Sequence, residues 1–321
     1  MDPEPSSPTI EFPQTIAPSL PQLPEPRQVE VDFASFSHQG RVRKNNEDHF
    51  LIARPGRTLE VIASNLPEGT APGLFEQSGY VYMVADGLGG MAAGEYASML
   101  ALRACLASIL KSDRWCFRPD RQTGPELIRR IRGYYHQIDE VLQQHARSRP
   151  ELAGMATTLT AVFTTGADAV VAHVGDSRAY LLRGDRLQKM TNDHTIAQYL
   201  ANTGMITHEE VATHARRHVL MNFAGGPAGG INPDVDPFQI ADGDVLLLCT
   251  DGLTEMVDEP TIAQVLRGST TAESATRELV DMALEQGGTD NVTVIVARYR
   301  VPFEPGPAWH LGWDHDVNVE L

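Results

Sequence analysis

Cysteine is nearly absent: Cys105, Cys116 and Cys249 are the only three in 321 residues, and no two form a CxxC pair. So odd and sparse a set supplies neither a disulfide framework nor zinc-ligand spacing. It fits a reducing compartment, and a cytoplasmic location is expected. Positive charge is also scarce. With 26 Lys and Arg against 42 Asp and Glu the net charge is −16, which argues against nucleic acid or an anionic membrane as the main partner. Lysine is almost missing, at Lys44, Lys111 and Lys189, which reads as a habit of the source genome. Uninterrupted apolar runs are only a few residues long, so no membrane span is expected. The acidic, proline-rich start does not resemble a secretory leader.

Proline, by contrast, is crowded at one end. Residues 1–28 hold eight of the 21 prolines and few large apolar side chains, a composition expected to form a flexible or polyproline-like tail. Residues 29–301 read as one dense unit without linker or repeat. Residues 302–321 form a second tail, acidic and carrying Phe303, Trp309 and Trp313, expected to dock on the domain.

Strands are predicted near 31–37, 48–53, 59–63, 79–85, 157–165, 169–175, 178–183, 235–240, 244–250 and 291–300. Gly184-Asp185 predicts a tight hairpin turn. Helices are predicted near 93–111, 125–146, 194–203, 207–213, 259–266 and 271–286. In the second, Leu127, Ile131, Tyr134, Ile138, Val141 and Leu142 recur at helical spacing and read as a core-facing stripe. The order of elements is not a regular βαβ alternation. It suits an α+β fold with two packed antiparallel sheets and helix pairs outside them.

Four aspartates stand at edges of apolar strand-like runs, and each is followed at once by Gly, Ser or Asn: Asp86-Gly87, Asp176-Ser177, Asp251-Gly252 and Asp290-Asn291. Any one alone reads as a turn. Carboxylates that converge where buried strands surface repel one another unless cations lie between them, and oxygen-only ligands suit Mg²⁺ or Mn²⁺. The glycines of Asp86-Gly-Leu-Gly-Gly let a backbone carbonyl approach an ion closely. Arg43 precedes the Glu47-Asp48 pair by four residues, and its planar fork suits phosphate. These features point to a metal-dependent hydrolase.

Seven short stretches, in order, resemble the metal-dependent serine/threonine protein phosphatases of type 2C in their bacterial form. They are Arg43-Lys-Asn-Asn-Glu47-Asp48, Val84-Ala-Asp86-Gly87-Leu-Gly89-Gly90, Met155-Ala-Thr157-Thr158, Val174-Gly175-Asp176-Ser177-Arg178-Ala-Tyr180, Thr191-Asn-Asp193-His194-Thr195, Leu247-Leu-Cys-Thr-Asp251-Gly252-Leu253 and Gly288-Thr-Asp290-Asn291-Val292-Thr-Val. The resemblance implies a four-layer α-β-β-α sandwich and hydrolysis of phosphoserine or phosphothreonine in proteins by direct attack of a metal-bridging water. It implies that Asp86, Asp251 and Asp290 ligate two Mn²⁺ or Mg²⁺ ions, joined by the Gly87 carbonyl, with Glu47 holding a water shell. Asp48 and Asn291 then stand behind the ligands and Arg43 grips phosphate. Asp176 implies a third, weaker metal site with Glu255 as outer partner, where the family commonly has Asp.

The resemblance further implies a monomer, a cognate Ser/Thr kinase and a role in signal transduction. It also makes residues 193–234 a flap beside the site, which explains His194, His214 and His218 without zinc. Leu88 stands where animal members carry a histidine, and the flap wording Leu220-Met-Asn-Phe-Ala-Gly225 departs from the family's, so substrate choice does not transfer. None of the cysteines has a nucleophile setting. The alternatives are a catalytically silent metal-binding regulatory module or a hydrolase of small phosphoesters.

Overall fold

A computed structural model describes residues 29–302 except 68–69, 72, 90, 112–123 and 227–229. The expectations for the two tails, for Cys116 and for Phe303, Trp309 and Trp313 fall outside the described residues. The elements run β1 (Glu30–His38), β2 (Asp48–Ala53), β3 (Gly56–Glu60), β4 (Leu74–Leu88), α1 (Met91–Lys111), α2 (Gly124–Ser148), a 3-10 turn at Pro150–Leu152, β5 (Ala156–Thr157), β6 (Leu159–Thr165), β7 (Asp168–Val174), β8 (Arg178–Arg183) and β9 (Arg186–Lys189). There follow α3 (Ile196–Asn202), α4 (His208–Val211), β10 (Ala224–Gly225), β11 (Asp234–Gln239), β12 (Val245–Cys249), α5 (Asp251–Thr254), α6 (Glu259–Gly268), α7 (Ala272–Glu285) and β13 (Val292–Arg300).

The central strands are apolar at nearly every position because both of their faces are covered. Side chains alternate across a strand, so Val245, Leu247 and Cys249 of β12 meet α6 and α7 while Leu246 and Leu248 face the opposite sheet. In β4, Val81, Met83 and Ala85 pack under α1 and α2, and Tyr82 and Val84 meet the second sheet. One sheet has the order β1-β13-β12-β8-β9. The other runs β10-β5-β4-β6-β7-β11, with β2 and β3 also paired to β4. All these pairings are antiparallel. Three apolar layers therefore separate four structural ones, as the α-β-β-α sandwich requires.

Several boundaries differ from the sequence expectation. The strand placed at 59–63 is β3 at 56–60, an exposed ribbon on the first half of β4. The run 157–165 is broken at Thr158, whose N–H donates to the Asp86 carbonyl at 2.9 Å and whose Oγ1 accepts from the Asp86 N–H at 2.9 Å. The helix expected at 207–213 is the single turn α4, closed by a capping box between Thr207 and Glu210. On α2 the buried tyrosine is Tyr135, not Tyr134. The Tyr135 hydroxyl donates to the Ala172 carbonyl at 2.7 Å, while Tyr134 accepts from Arg130 at the helix surface. Both positions suit a 3.6 period after Ile131, and the carbonyl on β7 decides between them.

Within α1, Ala93–Lys111 is long and apolar enough to cross a membrane by length and composition, although Glu95, Ser98, Arg103 and Ser108 interrupt its apolar runs. Half of that stretch is buried in the fold, with Ala97, Leu100, Ala101 and Cys105 in the core under α2 and β4.

Candidate metal and phosphate site

β4 delivers the first carboxylate. Its antiparallel register with β2 sets Asp86 opposite Asp48, and Gly87 follows in the same strand, paired with Thr157. A Cβ on Gly87 would collide with the Gly94 carbonyl, and one on Gly94 with the Glu47 carboxylate. Glycine at both positions is what allows the strand end, the start of α1 and Glu47 to meet. Asp251 opens α5, directly after β12. Asp290 lies two residues before β13.

Asn291 fastens the arginine loop to this centre. Its Nδ2 donates to the carbonyls of Gln39 and Asn45, both at 2.8 Å, and its Oδ1 accepts from the Glu47 N–H at 2.8 Å. Gly40 (φ +81°) lies so close to the Asp290 carbonyl that no side chain fits there. Arg43 is thereby held at the rim, where its Nη2 donates to Asp290 Oδ2. Asp48 sits behind the ligand edge, and its Oδ2 accepts from Thr250 Oγ1 at 2.8 Å.

Arg43, Glu47, Asp86, Gly87, Asp176, Asp251, Glu255, Asp290 and Asn291 all line one cleft of about 780 Å³. Of the residues assigned to the metal and phosphate site from the sequence, Asp48 is the one that does not line it. Burial is the leading influence on Asp86, Asp251, Asp176 and Asp48, and neighbouring negative charges add to it. Asp86 is driven well above the usual carboxylate range by burial and then by Asp48, Asp251, Asp176 and Asp290. Asp251 is driven up in the same way, by burial and then by Asp176, Glu255, Asp290 and Asp48. Burial and Asp193 push Asp176 to about 7. Asp48 also reaches about 7, where burial outweighs the hydroxyls of Thr293 and Thr250.

Among the described residues, Asp251 Oδ1 and Asp48 Oδ1 are buried without a hydrogen-bond partner. Buried polar atoms seldom stay unpaired. A converging, mutually repelling, oxygen-only set with orphaned lone pairs fits hard divalent cations such as Mn²⁺ or Mg²⁺.

The family model described as Protein phosphatase 2C matches residues 71–286. The chain belongs to that family. A Mycobacterium tuberculosis serine/threonine protein phosphatase, PstP, is 35% identical over 265 residues, 83% of this chain and 44% of its own length. The chain therefore spans less than half of that relative. The Listeria monocytogenes serine/threonine phosphatase stp is 34% identical over 262 residues, 80% of this chain and 92% of its own length. Among solved structures, the PstP catalytic domain in complex with two manganese ions superposes with a TM-score of 0.65 at 31% identity, covering 85% of this chain and all of that one. The family's α-β-β-α architecture is the one described above.

The three histidines noted within residues 193–234, His194, His214 and His218, do not converge. His194 Nε2 bonds Asp234 at 3.0 Å, and its Nδ1 meets Asn222 at 2.9 Å. His214 accepts from the Arg216 N–H. His218 alone enters the cleft, where its Nδ1 lies 2.7 Å from Glu255 Oε1. One ligand atom each of His218, Asp251 and Glu255 lie within 4.8 Å of one another.

Sequence reasoning missed the His218–Glu255 pair, because 37 positions separate the two and neither belongs to a shared motif. It also missed Thr250 as the support of Asp48. There the signal was available: Thr250 sits immediately before Asp251 at the buried end of β12, and a hydroxyl there must find a partner.

Proposed function

We propose that this protein is a Mn²⁺- or Mg²⁺-dependent phosphatase that hydrolyses phosphoserine and phosphothreonine in proteins. The observation that carries the reading is the convergence of Asp86, Asp251 and Asp290 on one cleft with Arg43 at its rim, Asp251 Oδ1 being left without a partner. Asp86, Asp251 and Asp290, with the Gly87 carbonyl, would hold the two cations. Glu47 would orient water beside them. Asp48 and Asn291 would fix the ligands from behind, and Asp176 with Glu255 would offer a weaker third position.

When bound, divalent cations in such a site acidify water and neutralise charge on the phosphoryl group. The chain's own side chains do the rest. Arg43 presents a two-pronged donor to the phosphate oxygens and aligns the ester for in-line displacement. No covalent intermediate is needed, in keeping with two buried cysteines, Cys105 and Cys249, whose thiols burial pushes up to about 12.

The substrates are phosphoproteins modified by a cognate Ser/Thr kinase, and the protein acts as a cytoplasmic monomer in bacterial signalling. The sparse cysteines, of which Cys105 and Cys249 are free among the described residues, and the bacterial relatives support that assignment. The test is phosphate release from a phosphothreonine peptide and from an aryl phosphate, with Mn²⁺ or with chelator. Mn²⁺-dependent turnover that favours the peptide is expected. No Mn²⁺-stimulated release from either substrate would reject the enzyme, and release from the aryl phosphate alone would leave a small-ester hydrolase.

A further inference from the structure

Asp139 lies on α2 within the apolar stripe of Tyr135, Ile138 and Leu142, and is only 4% exposed. A carboxylate there is expensive unless its lone pairs are used. Both oxygens are. Oδ2 accepts from Gln143 Nε2 at 2.9 Å, and Oδ1 accepts from the backbone N–H of Gly225 at 2.8 Å. Gly225 belongs to β10, the two-residue strand with which the flap returns to the sheet.

That strand is the end of a short strut. Ala224 pairs with Thr157 of β5, which pairs in turn with Gly87 of β4, and Gly225, Ala156 and Leu88 form the next row. Thr157 Oγ1 also donates to the Asp86 carbonyl at 2.8 Å. β10 is the edge of its sheet, so the outward Gly225 N–H has no strand to meet and Asp139 takes that place. Gly225 has φ +84°, and a Cβ on it would meet the Met155 carbonyl at 2.6 Å. Five residues earlier, Leu220 lines the cleft. Between them, Asn222 is tied to Asn232 by Nδ2 to the carbonyl at 2.6 Å and by the Asn232 N–H to Oδ1 at 3.1 Å.

We infer that Asp139 is a positioning residue that holds the returning end of the flap against the strand carrying Asp86 and Gly87, a role that rests on the phosphatase reading of the cleft. It touches no substrate and acts through Gly225. Its effect falls on the part of the cleft wall that a polypeptide substrate must pass, and less on the carboxylates, which β4, β12 and β13 hold independently.

The test combines hydrogen exchange with kinetics on the full chain. In the wild type the Gly225 amide should be protected as strongly as those of β6. In Asp139→Leu, amides of residues 220–226 should exchange about tenfold faster. KM for a phosphothreonine peptide should rise about fivefold while kcat on an aryl phosphate stays within about twofold. Asp139→Asn, which keeps an acceptor oxygen, should restore both. A wild-type Gly225 amide that exchanges as fast as the amides around α4 would overturn the inference whether or not the leucine variant folds. So would an unchanged peptide KM, or an equal loss on both substrates. A wild type inactive on both substrates would instead reject the phosphatase reading and leave the exchange result to decide the positioning role.

Discussion

Arg43 donates to the carboxylate of Asp290 across 247 positions of sequence. The side chain suited to phosphate and one of those suited to metal are thus paired to each other, on a loop and a strand edge that Asn291 binds together. Arg43 is about half exposed and Asp290 about a quarter, so the pair sits at the water boundary. A pair so exposed adds little stability. Its value is positional, since the guanidinium already points at the place where charge must be exchanged.

Arg43→Ala should raise KM for a phosphothreonine peptide by roughly 10- to 100-fold, the size of a lost charge-assisted hydrogen bond. Mn²⁺ affinity, measured by calorimetry, should stay equal or tighten, because Asp290 loses a competing cation. Arg43→Lys should recover only part of the loss, since an ammonium lacks the planar fork. Weakened Mn²⁺ binding in Arg43→Ala would place the arginine among the supports of the metal ligands instead.

Asp251→Asn should abolish turnover and lower Mn²⁺ affinity more than about tenfold while preserving the fold, because a neutral amide fills the same space. The metal-free variant should melt at or above the wild type, since one of several crowded carboxylates is gone. Wild-type Mn²⁺ affinity in this variant would show that Asp251 is not a ligand.

Stability in chelator should fall as pH rises from about 4 through about 7. Asp48 and Asp176 reach about 7 in the folded protein against an ordinary 3.8, and Asp86 and Asp251 are also raised well above the ordinary value. The folded state then binds more protons than the unfolded chain, which makes the slope of stability against pH negative in that window. At Asp193 burial pushes upward, but Arg178 and Lys189 together outweigh it and hold the carboxyl below its ordinary range. Its contribution is lost only under more acid conditions. Scanning calorimetry at pH 5 and pH 8 should show the lower melting temperature at pH 8 with chelator, and Mn²⁺ should narrow the gap.

Gly252→Ala should destabilise by about 1–3 kcal/mol, the usual penalty for forcing an atom into a filled site. A Cβ there would run into the Asn291 carbonyl backbone, which cannot swing aside. Mn²⁺ affinity should fall with it, because Asp251 precedes Gly252 and Asp290 precedes Asn291. Gly184→Ala, at the open β8–β9 hairpin with φ +56°, should cost stability without altering Mn²⁺ binding. Urea unfolding with matched calorimetry separates the two.

Much of this was legible in the linear chain, for identifiable reasons. Near-continuous apolar runs ending in Asp-Gly or Asp-Ser, or beginning after Asp-Asn, mark both a buried strand and the point where it surfaces, so Asp86, Asp176, Asp251 and Asp290 could be placed at strand ends before any pairing was known, and the resemblance to the 2C phosphatases singled out three of them as metal ligands. Boundaries were less legible where a tertiary partner overrides the local pattern. Thr158 leaves its strand to bond Asp86, and Tyr135 displaces Tyr134 because a carbonyl on β7 is within reach.

The amino-acid sequence by itself determined the buried strands, the donor chemistry at their ends and the family, because these depend on side-chain type and short-range spacing. Only the tertiary structure decided that Asn291 staples the Arg43 loop to Asp290, that His218 meets Glu255 and that Asp139 takes the Gly225 N–H of β10. Each of these is a hydrogen bond between residues dozens to hundreds of positions apart. A hydrogen bond needs its donor and acceptor within about 3 Å, a condition set by the packing of whole sheets and helices and not by any local pattern.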